Sequence, residues 1–568
     1  METAGVSFLL GSHQSAVTNA VDKMRRSNIA ARIWANDFHV WKPSPQQISN
    51  RLGWLHAPLE TSANVKSIRA SLEPFTNGSV EDVVLLGMGG SSMSAEVFNN
   101  IFGSAPGFPR LQILDTTDPQ IIHRVTEKLN LAKTLFIVSS KSGSTLEIVS
   151  LFHYFYNLTA EKPGVSANEH FMIITDEGSP MLEQAWQLQL PCVFSNNPNI
   201  GGRYSALSLA GMIPAALIGV QIEKLLQNAA AVASQEKADF FSGKGDSTGC
   251  FLGAALGTLA QYGRDKLTLL LPPSWKPFGD WLEQLIAEST GKEGKGILPV
   301  LNEPQMDVSA YGKDRVFVIF NHNEDEWGSW ITQLASVGHP VLKIRINGFY
   351  DLGGQMFLWE MATAVAAHIM GINPFDQPDV EATKKHTKRM IAQYKSDHTW
   401  PEAQPSLTEG DCEIYGEIAG SNVSATVTNF LSSSPQNAYV GLQVYLSPSP
   451  EINKALDALR AAISRKYGMA VTVGYGPRYL HSTGQLHKGD AGRGMFIQLT
   501  GANKLDVEIP DSLCQQGSSL TFGQLKAAQG EADRLALMDK GRKIIRLHWT
   551  KDAAAGLKNL LSFINVLP

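Results

Sequence analysis

Hydrophobic positions change their spacing along the chain, and the change divides it. From about Ser15 to Leu72 apolar residues recur at helical intervals, with Trp34, Trp41 and Trp54 among them, so residues 1–72 read as an N-terminal helical segment. Short apolar runs then alternate with helix-compatible stretches: VVLLGMGG (83–90), LQILD (111–115), TLFIVSS (134–140) and FMIITD (171–176). Runs that are apolar throughout suit strands buried on both faces, as in a parallel sheet. KLTLLLPP (266–273), RVFVIF (315–320) and PVLKIRI (340–346) repeat the pattern. The alternation predicts one doubly wound, parallel-sheet α/β domain over 73–235 and a second over 236–396. Proline and polar residues concentrate in DHTWPEAQPSLTEG, where periodicity lapses, and a linker is expected at 397–410. Beyond it, AYVGLQVYL, VTVGYG, GMFIQLTG and KIIRLHW alternate with helical text such as EINKALDALRAAISRKY. A third, C-terminal α/β domain over 411–568 is therefore expected, ending in the helix AAAGLKNLLSFI.

Composition supports a folded chain. The 568 residues exceed what one core organises, and 43% hydrophobic with 18% charged residues is ordinary globular usage. A net charge of -5 supplies no general attraction for nucleic acid or an anionic membrane, so neither is an expected partner and any anion must be caught locally. Cys192, Cys250, Cys412 and Cys514 lie too far apart for zinc spacing or a disulfide framework, which fits a reducing cytoplasm. The sequence carries no basic, then apolar leader at its start and no run of about 18 apolar residues, so neither export nor a membrane span is expected.

Two loops are candidates for catching an anion. Gly87-Met88-Gly89-Gly90-Ser91-Ser92 follows the first apolar run, where glycines allow backbone amides close to an oxyanion at a helix N-terminus. A tight turn without ligand explains it as well. So does a nicotinamide-dependent oxidoreductase, with Asp115 as the ribose-binding acid. The third run ends in Ser140-Lys141-Ser142-Gly143-Ser144-Thr145, whose hydroxyls, amides and ammonium suit a phosphate monoester. Helix capping accounts for one or two of these side chains.

Three further segments carry a resemblance. Gly201-Gly202-Arg203-Tyr204-Ser205 is similar to the GGRYS signature of glucose-6-phosphate isomerases, and Glu288-Ser289-Thr290-Gly291-Lys292 to their ESNGK motif. Asn373-Pro374-Phe375-Asp376-Gln377-Pro378-Asp379-Val380-Glu381-Ala382-Thr383-Lys384 resembles their FxQxGVExxK segment, with Asp379 where the family usually has glycine. The resemblance covers about residues 20–395 and is nearest to the isomerase portion fused to transaldolase in some bacteria. It continues through Leu480-His481-Ser482-Thr483-Gly484-Gln485, similar to the LHSxGQ segment of short bacterial isomerases.

What the resemblance implies is specific. The fold would be two flavodoxin-like sugar isomerase (SIS) domains. The reaction would be aldose–ketose isomerisation of glucose 6-phosphate and fructose 6-phosphate, with neither metal nor redox cofactor. Glu288 would be the proton-moving carboxylate, Arg203 would stabilise the enediolate, and Lys384 would contact the ring oxygen or a sugar hydroxyl during ring opening, with Lys385 and Lys388 solvated. Gly90, Ser91, Ser140, Lys141, Ser142 and Thr145 would cradle the phosphate, and Gln377 would face the substrate. His481 would assist ring opening in preference to His487, His322, His339 or His368. A homodimer and an association with a transaldolase module are also implied. Alternatives are an isomerase that also accepts mannose 6-phosphate, and a non-catalytic SIS-type phosphosugar regulator; the second would need no glutamate.

Overall fold

Parallel sheets form where the apolar runs stand. In this computed structural model, which describes residues 2–3, 5–242, 247–322, 327–397, 404–417 and 419–566, the architecture is mixed α/β with parallel-sheet cores. The first sheet has five strands, ordered Arg110–Leu114, Asp82–Leu86, Thr134–Ser140, Phe171–Asp176 and Cys192–Asn196, all parallel. Counted along the chain, that order is 2-1-3-4-5. Thr134–Ser140 is buried at every position because helices cover both faces.

The second sheet places Leu298–Val300, Lys266–Leu270, Arg315–Asn321 and Val341–Arg345 side by side and parallel, in the order 2-1-3-4. Its far edge is closed by the start of the chain. Val6–Leu9 pairs antiparallel with residues 341–344, and Glu2–Thr3 pairs with residues 6–7. The N-terminal segment is therefore not wholly helical as expected. Val6 and Phe8 are buried at 1% exposure and satisfy a sheet edge that would otherwise show unpaired amides.

The third sheet repeats this plan. Ala470–Tyr475, Tyr439–Tyr445, Gly494–Gly501 and Lys543–Trp549 are parallel in the order 2-1-3-4, and an antiparallel pair, Cys412–Tyr415 and Leu407–Glu409, closes the fourth strand's edge. Within the expected linker, residues 398–403 lie outside the described residues. Leu407–Glu409, which that linker includes, is instead a strand, because pairing with Cys412–Tyr415 gives its polar text a ladder to join.

Packing ties these sheets together. One apolar core runs from Val17 and Trp54 through Val83 and Phe98 to Trp281, Phe320 and Trp359, so the N-terminal segment and the first two sheets share it. At its centre lies helix Asp351–Met370, apolar on nearly all sides and accordingly buried. Trp41 donates its indole Nε1–H to Ala364 O at 2.8 Å, holding the N-terminal segment onto that helix. The C-terminal sheet has its own core around Val440, Ile497 and Leu547, yet Ile509, Leu520, Phe522 and Leu525 insert into the outer face of the first sheet.

Candidate active site

Two loops meet because Asp82–Leu86 and Thr134–Ser140 are adjacent and parallel, which leaves both C-terminal ends at one edge. Ser91 and Lys141 line a small cleft there with Asp176, Asn196, Gly202 and Ser205. At Gly90 a Cβ would fall 2.1 Å from the Gly202 carbonyl, so only glycine lets this loop lie against residues 201–205. In the second loop Ser140 Oγ accepts from Gly143 N at 3.1 Å, and Ser142 Oγ from Ser144 N at 3.3 Å. Thr145 stands at the start of helix Leu146–Ala160, whose first amides have no intrahelical acceptor. The Lys141 ammonium is engaged already, paired with the Asp176 carboxylate and donating to Pro198 O at 2.9 Å. Burial lowers its pKa, against the pull of Asp176.

The third, fourth and fifth motifs converge on one guanidinium. Arg203, 3% exposed, lies with Nη1 3.1 Å from Glu288 Oε1 and donates from Nε to Ser289 Oγ at 2.8 Å. It also donates to Gln377 Oε1 at 3.2 Å, Pro374 O at 2.5 Å and Asp376 O at 3.0 Å. Glu288 occupies the last turn of helix Lys276–Thr290. One turn earlier, Gln284 Nε2 donates to Glu288 Oε2 at 3.2 Å and to His481 O at 2.9 Å. The carboxylate thus has one oxygen on a cation and the other on an amide, while its side chain stays 14% exposed.

His481 enters from the C-terminal sheet, in the turn Arg478–His481 after strand Ala470–Tyr475. Its Nε2 lies 2.9 Å from Glu147 Oε1, which also accepts from Gln529 Nε2 at 2.7 Å. Burial alone would lower the imidazole's pKa. The Glu147 carboxylate overrides it and holds the group above 6.5, with Lys384 opposing and Glu288 assisting. Burial would likewise raise Glu147, but His481 overrides it and the net shift is downward. Lys384 acts on this ring electrostatically, yet its own ammonium is 54% exposed and bonded to Glu381 Oε1 at 2.8 Å. Lys385 and Lys388 are exposed on the same helix.

With these groups in place, comparison with known proteins gives a likeness. Residues 61–293, less than half of the chain, match the family model described as phosphoglucose isomerase. A probable glucose-6-phosphate isomerase of Methanococcus maripaludis is 29% identical over 359 residues, covering 56% of this chain and 80% of the relative. The glucose-6-phosphate isomerase of Campylobacter jejuni is 28% identical over 397 residues, 60% of this chain and 93% of its own. A hypothetical protein of Thermus thermophilus superposes with a TM-score of 0.56 at 24% identity, over 68% of this chain and all of that one, which is a likeness of fold. The matched segment holds both loops, Arg203 and Glu288. Lys384 and His481 lie beyond it.

The C-terminal body is docked onto this matched segment with little clearance. A Cβ at Gly89, which has φ +53°, would meet His481 Cβ and O at 3.0 Å, and one at Gly291 would lie 2.3 Å from Leu486 Cα. Asp379, the departure from the family glycine, has a use here: it accepts from Gln485 Nε2 at 2.8 Å and Lys540 Nζ at 2.6 Å, and its N–H donates to Gln485 Oε1 at 3.0 Å. Lys488 and Asp533, both 0% exposed, pair at 2.5 Å behind the His481 turn. The other histidines are taken up by structure. His487 is buried against Phe496 and Tyr479, and burial pushes its pKa well down. His322 and His368 bond the carbonyls of Ile346 and Val40, while His339 is buried with its pKa lowered to about 4 by burial and then Arg264. Asp115 accepts from Ser92 Oγ at 3.1 Å and lies 3.4 Å from Arg478 Nε, so it does not stand open for a ribose.

Glu147 and Gln284 escaped the sequence reading. Their signals were local: an acid two residues after the Ser/Thr loop ends, and an amide four residues before Glu288 on the same helical face.

Proposed function

We propose that this chain interconverts D-glucose 6-phosphate and D-fructose 6-phosphate by proton transfer through a cis-enediolate. The observation that carries this is the buried Arg203 guanidinium on the Glu288 carboxylate, with His481 beside it on Glu147. Gly90, Ser91, Ser140, Lys141, Ser142 and Thr145 bind the phosphoryl group. His481 donates a proton to the ring oxygen as its bond to C1 breaks, and the imidazole takes the O1 hydroxyl proton in return, with Lys384 steadying the ring oxygen. Glu288 takes the C2 proton, the electron pair forms the C1–C2 double bond, and O1 gains negative charge beside Arg203. The O2 proton then passes to O1, and Glu288 returns its proton to C1. Gln377 and Gln284 orient hydroxyls near the carboxylate.

The same reading takes residues 73–235 and 236–396 as two SIS domains after an N-terminal segment, with 411–568 as a third α/β domain. The shared 2-1-3-4 strand order supports it. Among the described residues no helix is long and apolar enough to cross a membrane, which is compatible with a cytoplasmic enzyme. A homodimer and a transaldolase partner rest on the resemblance alone. A purely ligand-binding role leaves the Arg203–Glu288 pair without a use.

Fructose 6-phosphate supplied in deuterated water, without metal or nicotinamide, tests the proposal. The expected product is glucose 6-phosphate labelled at C2; wild-type protein that forms none overturns the reading.

A further inference from the structure

Lys292 closes the Glu288 motif, yet neither the phosphate loops nor the proton shuttle uses it. Its side chain is 1% exposed, and Nζ donates to Asp376 O at 2.5 Å and to Asp376 Oδ1 at 2.8 Å. The same carbonyl accepts Arg203 Nη2 at 3.0 Å. Two buried cations therefore share one oxygen, with the Asp376 and Glu288 carboxylates as the facing anions. The loop at residues 373–379 contains two prolines and lies between helices Asp351–Met370 and Val380–Asp397; Phe375 anchors it in the core, and its remaining position depends on what its carbonyls and side chains bond. Lys292 is itself fixed, its backbone N–H donating to Thr290 O and Lys295 O at 3.0 Å. It ties the Glu288-bearing segment to the loop that supplies the carbonyl and amide acceptors of Arg203: Pro374 O, Asp376 O and Gln377 Oε1.

We propose that Lys292 is a positioning residue for the isomerisation: by clamping Asp376 it holds that loop so that Arg203 stays on Glu288 and Gln377 faces the substrate. This rests on the isomerase reading above. The clamp requires the ammonium form. Burial, then Arg203, lower Lys292 to about 8, against Asp376 and Glu288. Loss of its proton leaves the Asp376 carboxylate facing Arg203 without its partner, which draws the guanidinium from Glu288. The rate constant therefore falls as pH rises through about 8.

The test uses the full chain, with kcat and KM for fructose 6-phosphate measured from pH 6 to 10 beside melting temperatures. Lys292→Met should lower kcat by roughly 30-fold and change KM by less than about threefold. Asp376→Asn removes the facing anion and should move the alkaline limb down by about one pH unit, whereas Lys292→Arg should move it up and recover much of the rate at pH 9. A folded Lys292→Met enzyme with wild-type kcat overturns the proposal. Should that variant fail to fold, an unmoved alkaline limb in Asp376→Asn does so. Wild-type protein without turnover would instead overturn the isomerase reading, and this proposal with it.

Discussion

His481 and Lys384 act on each other electrostatically but are held in opposite ways. His481 is clasped by Glu147, its backbone oxygen is fixed by Gln284, and the turn behind it leans on the buried Lys488–Asp533 pair. Lys384 extends from an exposed helix face and bonds a neighbour three residues away. Packing separates them: a preorganised group contributes from the first encounter with substrate, whereas an exposed ammonium must leave Glu381 and order its stem.

The largest effect should come from the proposed base. Glu288→Gln keeps the shape and the contacts to Gln284 but removes the base, so kcat should fall on the order of 10³-fold or more. A rapid-quench assay showing a loss under tenfold would move the base elsewhere and dissolve the comparison. Next, His481→Ala should lower kcat on the closed-ring sugar by roughly 10²-fold and spare an open-chain analogue. Lys384→Ala should change the same ratio by less than about tenfold, mostly through KM. If the lysine variant proves the more damaging, the exposed group closes onto the substrate more completely than its resting contact suggests.

Glu147→Gln separates the two residues by pH. A histidine whose folded pKa is raised adds stability that is full below its unfolded value and lost as pH rises through the folded value. Removing the carboxylate should therefore lower the melting temperature more at pH 6 than at pH 9, and lower kcat by about tenfold. Equal loss at both pH values would mean that the dyad is neutral. The smallest change expected is in docking. Asp379→Gly removes the carboxylate from Gln485 Nε2 and Lys540 Nζ, while Gln485 Nε2 keeps its bond to Gly291 O, and should cost about 1–2 kcal/mol in denaturant unfolding, with kcat nearly intact. A large loss of rate instead would show that the His481 turn depends on that one anchor.

Much of the fold was legible because burial on both faces writes continuous apolar runs: TLFIVSS and GMFIQLTG coincide with their strands from end to end. Cys192–Asn196 was not, since it lies at an edge and carries serine and asparagine. Val6–Leu9 is a strand only because residues 341–344, far along the chain, offer it an edge. The site divides likewise. Loops and motifs announce Arg203 and Glu288 locally, but the use of Glu147 depends on His481, and that of Asp379 on Gln485, each a partner from beyond the linker. Such pairings leave no periodicity to read.

The late position of His481 gives the site a schedule. A ribosome delivers the phosphate loops first, then Arg203 and Glu288, and only after the third sheet has begun to form does an acid reach Glu147. On the proposed mechanism, a chain that stops before His481 has no group to open the ring and is expected to lose activity on closed-ring sugars, so the chemistry is completed only late in synthesis.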